Sequence, residues 1–158
     1  MPDIFTKAKR SEVMSRIRSR GNRATELALV RVFRAEGITG WRRHWMLRVA
    51  RGSTSPRPSP QSGEGEAFKV RPDFVFPKLR VAVFVDGCFW HGCPKHETKP
   101  RNNAAFWRKK FARNIARDRL VTRTLRREGW RVLRIWEHEL ARKNEARLLR
   151  RIRKVLEE

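Results

Sequence analysis

Two acids, a histidine and two cysteines crowd into one short stretch of this chain. Arg71-Pro72-Asp73-Phe74-Val75-Phe76 is followed by Val81-Ala82-Val83-Phe84-Val85-Asp86, then by Gly87-Cys88-Phe89-Trp90-His91-Gly92-Cys93-Pro94-Lys95-His96. Phosphodiester hydrolysis with a divalent metal needs hard oxygen ligands gathered at one point. The metal neutralises phosphate charge and lowers the pKa of an attacking water. Asp73 begins one strand-like segment and Asp86 ends the next. An antiparallel hairpin brings a strand start and its partner's end to the same sheet edge, so both carboxylates are candidates for one catalytic metal site. The plain structural alternative is that Asp73 caps a turn and Asp86 is a turn residue before Gly87. His91 is the nearest group able to exchange a proton near neutral pH, and Glu26 on a predicted helix could supply a further acid.

Cys88, Cys93 and His96 offer three zinc ligands at chelating spacing, and His138 in Trp136-Glu137-His138 could complete a tetrahedron. Such a closed set would hold a structural Zn²⁺. His91 competes with His96 for the third place, and a Cys88–Cys93 disulfide or two free thiols are the alternatives. Phe89 and Trp90 lie between the two cysteines, beside Gly87 and Gly92. Large rings on a metal-held loop could form a rigid wedge that enters a DNA base step. Core packing is the competing reading.

These residues need a scaffold. Residues 11–18 read as a short basic helix and 24–36 as a second, with Asn22 as its N-cap and Gly37 as its stop. Trp41 to Trp45 reads as a strand, and Phe74 to Phe76 with Arg80 to Val85 as a hairpin turning at Pro77-Lys78. Asn103 is expected to cap a long helix over 104–127 that Gly129 ends. Its apolar stripe includes Trp107, Phe111, Ile115, Val121 and Leu125. Its other face carries Arg108, Lys109, Arg113 and Arg117, expected to grip phosphates, and further on Arg119, Arg123 and Arg126. A strand over 130–136 and a helix over 143–156 close the order α, α, β, β, β, α, β, α. The expected fold is α/β, or α+β-like: one domain over 1–158, with a small mixed central sheet flanked by helices. Residues 52–66, rich in Ser, Pro and Gly, have little to bury and read as a disordered insertion within that domain.

Charge narrows the partner. Lys plus Arg number 39 against 16 Asp plus Glu, a net charge of +23 spread along 158 residues. Arginine's planar fork suits phosphate, so nucleic acid is favoured over a membrane surface, which would draw its basic residues onto one amphipathic element. Two cysteines are too few for a stapled secreted fold, and there is no apolar run long enough for a signal or a span. The expected location is the cytoplasm, associated with the nucleoid when DNA is bound.

Pro72-Asp73 leading into a strand that ends in an acid resembles the PD-(D/E)xK nuclease superfamily, although Cys88 stands where that superfamily has lysine. More of the chain resembles the very-short-patch repair (Vsr) endonucleases. The resemblance rests on Asp86 to Pro94, the preceding Arg-Pro-Asp-Phe, Gly129 to Glu137, and Lys9-Arg10-Ser11 with Met14. It is supported by Glu26, Phe106-Trp107, Asn114 and Arg117-Asp118-Arg119. It implies a restriction-endonuclease-like fold, catalytic Mg²⁺, one structural zinc, and nicking of double-stranded DNA 5′ of the thymine in a T:G mismatch. By this resemblance Asp73 is a metal-binding aspartate, His91 a catalytic histidine and Glu26 an acid near the site. Met14, Phe89 and Trp90 wedge the duplex; Cys88, Cys93 and His138 bind zinc, with His96 assigned more loosely. Asp86 stands where the best-known branch has histidine, and His138 where it has cysteine. The change at Asp86 either adds a metal ligand or alters the proton relay. A monomer is expected, with other mismatch-repair proteins as candidate partners. The alternatives are a nuclease of the same fold that reads DNA structure without mismatch preference, and a non-catalytic zinc-stabilised DNA-binding module.

Overall fold

The computed structural model describes residues 25–49, 68–96, 100 and 103–157. The expected first helix, Met14, the Asn22 cap and the run at 52–66 lie outside the described residues.

Helix α1 (Glu26–Ala35) is followed by strands β1 (Arg42–Arg43), β2 (Leu47–Val49), β3 (Phe68–Val70), β4 (Phe74–Phe76) and β5 (Val81–Asp86). Helix α2 (Ala104–Arg127), strand β6 (Arg131–Trp136), two 3₁₀ turns and helix α3 (Glu145–Glu157) complete the order. The main sheet runs β1-β4-β5-β6. β4 pairs antiparallel with β1 and β5, whereas β5 and β6 are parallel, so the sheet is mixed as expected. A separate two-stranded sheet pairs β2 with β3.

Strand alternation divides the core in two. Phe74, Phe76, Val81, Val83, Leu133 and Ile135 face α1 and α3, meeting Leu29, Phe33, Leu148 and Ile152. Val75 and Ala82 face the other way, toward Val121 and Leu125 of α2 and toward Leu47, Val49 and Val70 of the small sheet. Both faces of β4 are covered, so all three of its residues are buried. By the same parity Asp86 and Arg134 belong to the α2 side of the sheet.

The expected elements over 74–76, 80–85, 104–127 and 130–136 form, the second as Val81–Asp86 and the last as Arg131–Trp136. Three details differ. The strand predicted over 41–45 shrinks to Arg42–Arg43, because His44 takes a left-handed φ of 52° that leaves the strand region. Asn103 does not cap α2 with its side chain; it has φ 55° and only its backbone carbonyl accepts, from Trp107 N–H. The pairing of β2 with β3 was not foreseen, since three-residue strands show almost no alternation. Gly37 and Gly129 do end their helices, at φ 64° and 79°.

Candidate active site and metal centre

The Cys/His residues converge as a knot. Cys88 Sγ lies 3.3 Å from His138 Nδ1. Cys93 Sγ lies 3.6 Å from the same nitrogen and 3.7 Å from His96 Nδ1. All four ligand atoms fall within 4.8 Å of one another. A tetrahedron built on zinc–sulfur and zinc–nitrogen bonds has edges of about 3.5 Å, so this donor set fits a zinc-sized ion. His96 lies in this cluster and His91 does not: the His91 ring turns away to Asp118. The sequence places His138 far from the cysteines, and the parallel pairing Asp86↔Trp136 brings it back. Neighbouring groups hold the ligands from behind. Glu137 Oε2 accepts the Cys88 N–H at 3.3 Å, and Asn144 Nδ2 donates to the His138 carbonyl at 2.7 Å. Glu139, paired with Arg151, accepts the Trp136 N–H at 2.9 Å and tightens the turn that carries His138.

The loop between the cysteines packs on α2. Gly92 has a left-handed φ of 65° that favours glycine, and a Cβ there would sit 2.9 Å from Ile115 Cδ1. Phe89 and Trp90 meet edge to face at 4.9 Å. Phe89 also meets Trp107 at 5.2 Å and Phe111 at 5.4 Å. Both rings are half-buried, between the wedge and core readings. Asn114 Nδ2 donates to the Trp90 carbonyl at 2.9 Å and fixes the loop backbone.

The carboxylates line a cavity of about 610 Å³ between α1, β3, β5 and α2. Glu26, Asp73, Asp86, His91, Arg117 and Asp118 all border it. Asp73 Oδ2 accepts the Val85 N–H at 2.7 Å. Burial pushes the Asp73 carboxyl up to about 6 despite that hydrogen bond, and the nearby charges of Glu26 and Asp86 add to the rise. A half-buried carboxylate pressed by two other acids is a site that favours a cation, so these hard oxygen donors fit a magnesium-like ion. Glu26 is 4% exposed, and its Oε2 accepts from Arg43 at 2.7 Å and lies 3.1 Å from His44 Nε2. His44 thus stands behind the cavity lining, in contact with it through Glu26.

His91 Nδ1 lies 2.6 Å from Asp118 Oδ2 and 3.7 Å from Asp86 Oδ1. Burial would lower the His91 pKa, but the Asp118 hydrogen bond and the two carboxylate charges outweigh it and leave it raised. Asp118 is held below the ordinary carboxylate range, because His91 and Arg134 outweigh the effect of burial. A second group of ligand atoms within 4.8 Å of one another, able to hold a metal ion, joins His91 and Asp118 to Asp86, which is buried in the cavity wall. Arg134 Nε donates to its Oδ2 at 2.7 Å and Nη2 to its Oδ1 at 2.6 Å. Sequence reasoning gave Asp118 and Arg134 no role. The available signal was an acid set among arginines and an arginine between the apolar residues Leu133 and Ile135 of β6.

Of the four expected phosphate contacts, Arg117 borders the cavity, while Arg108, Lys109 and Arg113 are exposed farther along α2. Among the described residues no helix is long and apolar enough to cross a membrane.

The family model described as DNA mismatch endonuclease Vsr matches residues 64–97. The type II nicking enzyme V.NmeDIP of Neisseria meningitidis serogroup C is 37% identical over 142 residues, covering 89% of this chain and 81% of that protein. The type II nicking enzyme V.NaeI of Lentzea aerocolonigenes is 55% identical over 75 residues, 48% of this chain and 45% of that protein. The DNA mismatch endonuclease Vsr of Escherichia coli K12 is 40% identical over 84 residues, 48% of this chain and 54% of that protein. The matches thus span about half the length of the last two relatives. The chain belongs to the Vsr endonuclease family.

Proposed function

We propose that this chain is a Mg²⁺-dependent DNA endonuclease of restriction-endonuclease-like fold that nicks one strand 5′ of the thymine in a T:G mismatch. The observation that carries the reading is Asp73, Glu26 and His91 meeting in one cavity. Asp73 and the acids beside it would hold the catalytic metal, which when bound supplies charge neutralisation and an acidified water. His91, oriented by Asp118 through Nδ1, is free at its other ring nitrogen to move a proton to or from the reacting oxygens. Glu26 fixes Arg43 and His44 along the wall. Arg117 at the rim, with Arg108, Lys109 and Arg113 beyond it, would engage the phosphates of duplex DNA. Cys88, Cys93, His96 and His138 would bind structural Zn²⁺ and so stiffen the loop carrying Phe89 and Trp90. A stiff loop loses little entropy when its rings wedge a base step, with Met14 as a further wedge residue. The protein would act as a monomer, in the cytoplasm.

A second reading is a nicking enzyme of the same fold without mismatch preference. It is favoured by the relatives named type II nicking enzymes. The deciding experiment offers T:G, matched and branched duplexes with Mg²⁺ supplied or withheld. Nicking confined to T:G supports the first reading. Equal nicking of matched duplex supports the second, and no nicking of any duplex overturns both.

A further inference from the structure

Asp86 is 4% exposed and sits in a wall with two other carboxylates nearby, Asp73 and Asp118. A charge so buried must be paired. Its partner is Arg134, and the pairing follows from the sheet. β5 and β6 are parallel, with Phe84 opposite Arg134 and Asp86 opposite Trp136. Phe84, Asp86 and Arg134 therefore share a face, and the arginine side chain can cross the Phe84 ring, 4.9 Å from its centroid, to reach Asp86. Both Asp86 oxygens receive a guanidinium N–H, a bidentate geometry. The same Nη2 lies 3.0 Å from Asp118 Oδ1, while Asp118 Oδ2 is taken up by His91. Nη1 reaches the Asp118 carbonyl and Thr122 Oγ1, each at 3.4 Å. One guanidinium thus spans three elements, β5, β6 and α2, and the imidazole hangs from its far end.

We propose that Arg134 is a positioning residue that reserves Asp86 as its own counter-ion, keeping that carboxylate off the catalytic metal, and that sets the His91 ring through Asp118. The inference rests on the metal-dependent reading of the cavity. It differs from that reading in one respect: Asp86, the acid at the end of the most recognisable motif, acts as an anchor for a cation, and the metal is held from the Asp73 side.

The test compares Arg134→Ala, Arg134→Lys, Asp86→Asn and the double variant Arg134→Ala/Asp86→Asn with the wild-type protein. Mn²⁺ binding is measured by calorimetry on zinc-loaded protein, and single-turnover nicking is measured separately. Arg134→Ala frees a buried carboxylate and is expected to bind Mn²⁺ about tenfold more tightly. Asp86→Asn is expected to bind as the wild type does. The double variant is expected to return to the wild-type value, because the gain comes from the freed Asp86. At saturating metal Arg134→Ala should nick about 100-fold more slowly with little change in KM, since a misplaced His91 costs rate and not DNA affinity. Arg134→Lys keeps the charge without the fork and should fall between. Mn²⁺ binding about tenfold weaker in Asp86→Asn would show Asp86 to be a ligand and overturn the inference. So would an Arg134→Ala protein with unchanged metal affinity and rate. If Arg134→Ala does not fold, the Lys and Asn variants decide by the same readouts. Wild-type protein that nicks no duplex, with the Mn²⁺ pattern as expected, would refute the nuclease reading alone. Wild-type protein that binds no Mn²⁺ would refute the inference.

Discussion

The Cys/His knot and the acid-lined cavity lie on either side of the Phe89-Trp90-His91 loop, yet they are built on opposite terms. The knot gathers soft donors, three of them within nine residues of chain, from Cys88 to His96. Its fourth donor, His138, arrives just after the strand that pairs with β5. The cavity gathers hard oxygens and charges from α1, the turn before β4, β5, α2 and β6, and pays for their burial with arginine. One region is a closed cluster of donor atoms. The other is a cavity in which burial, and then its neighbours' charge, raise the pKa of the Asp73 carboxyl. The contrast suggests that stiffness and reactivity are kept apart and joined only through the loop.

The comparison can be broken at four points. The largest effect is expected at Asp73: Asp73→Ala should lower Mg²⁺-dependent nicking at least about 1,000-fold while duplex binding in a gel-shift assay survives. Unchanged nicking would remove Asp73 from the site. Next comes the knot. Cys93→Ser should release zinc and cost about 3–5 kcal/mol in denaturant unfolding, taking DNA binding down with stability. A Cys93→Ser protein with wild-type stability would make the knot dispensable.

A smaller effect with the opposite sign is expected for Asp73→Asn. The folded-state pKa of Asp73 is raised, to about 6 from 3.8, so the native state binds this proton more tightly than the unfolded chain does. Stability contributed by the protonated form is present in acid and is lost as pH rises through about 6. Without added Mg²⁺, Asp73→Asn should therefore be more stable than wild type at pH 8 by about 2 kcal/mol, after allowance for solvent screening, and lose that advantage near pH 4. Thermal melts at the two pH values check it; equal melting at pH 8 would mean that the carboxylate is not destabilised. The smallest effect is expected at Asn114. Asn114→Ala removes one hydrogen bond to the loop and should cost about 1 kcal/mol, with a modest rise in KM for DNA and little change in kcat.

What the sequence showed of this site follows the same division. Asp73, Asp86 and the two cysteines were legible because a strand-turn-strand pattern and chelating spacing are local properties. The long helix was legible from its apolar stripe, since Val121 and Leu125 recur at helical spacing and are buried. Asp118 and Arg134 were not, because their meaning depends on two facts that no local pattern carries. One is that β5 and β6 run parallel in a fixed register, and the other is which side of α2 faces them. The choice between His91 and His96 as ligand was likewise open in sequence; Gly92, packed against Ile115, lies in the turn between them. The expected Asn103 cap failed because residue type gives only a preference, and the backbone there is left-handed.

The small β2–β3 sheet has a practical consequence. Val49 stands opposite Phe68, so the two ends of the intervening chain lie side by side, about 5 Å apart at their Cα atoms. A gap that narrow can be bridged by a two-residue turn or by a guest domain with adjacent termini. The position is therefore a natural port for a fluorescent reporter, inserted beside the strand that carries Lys69 into the cavity wall.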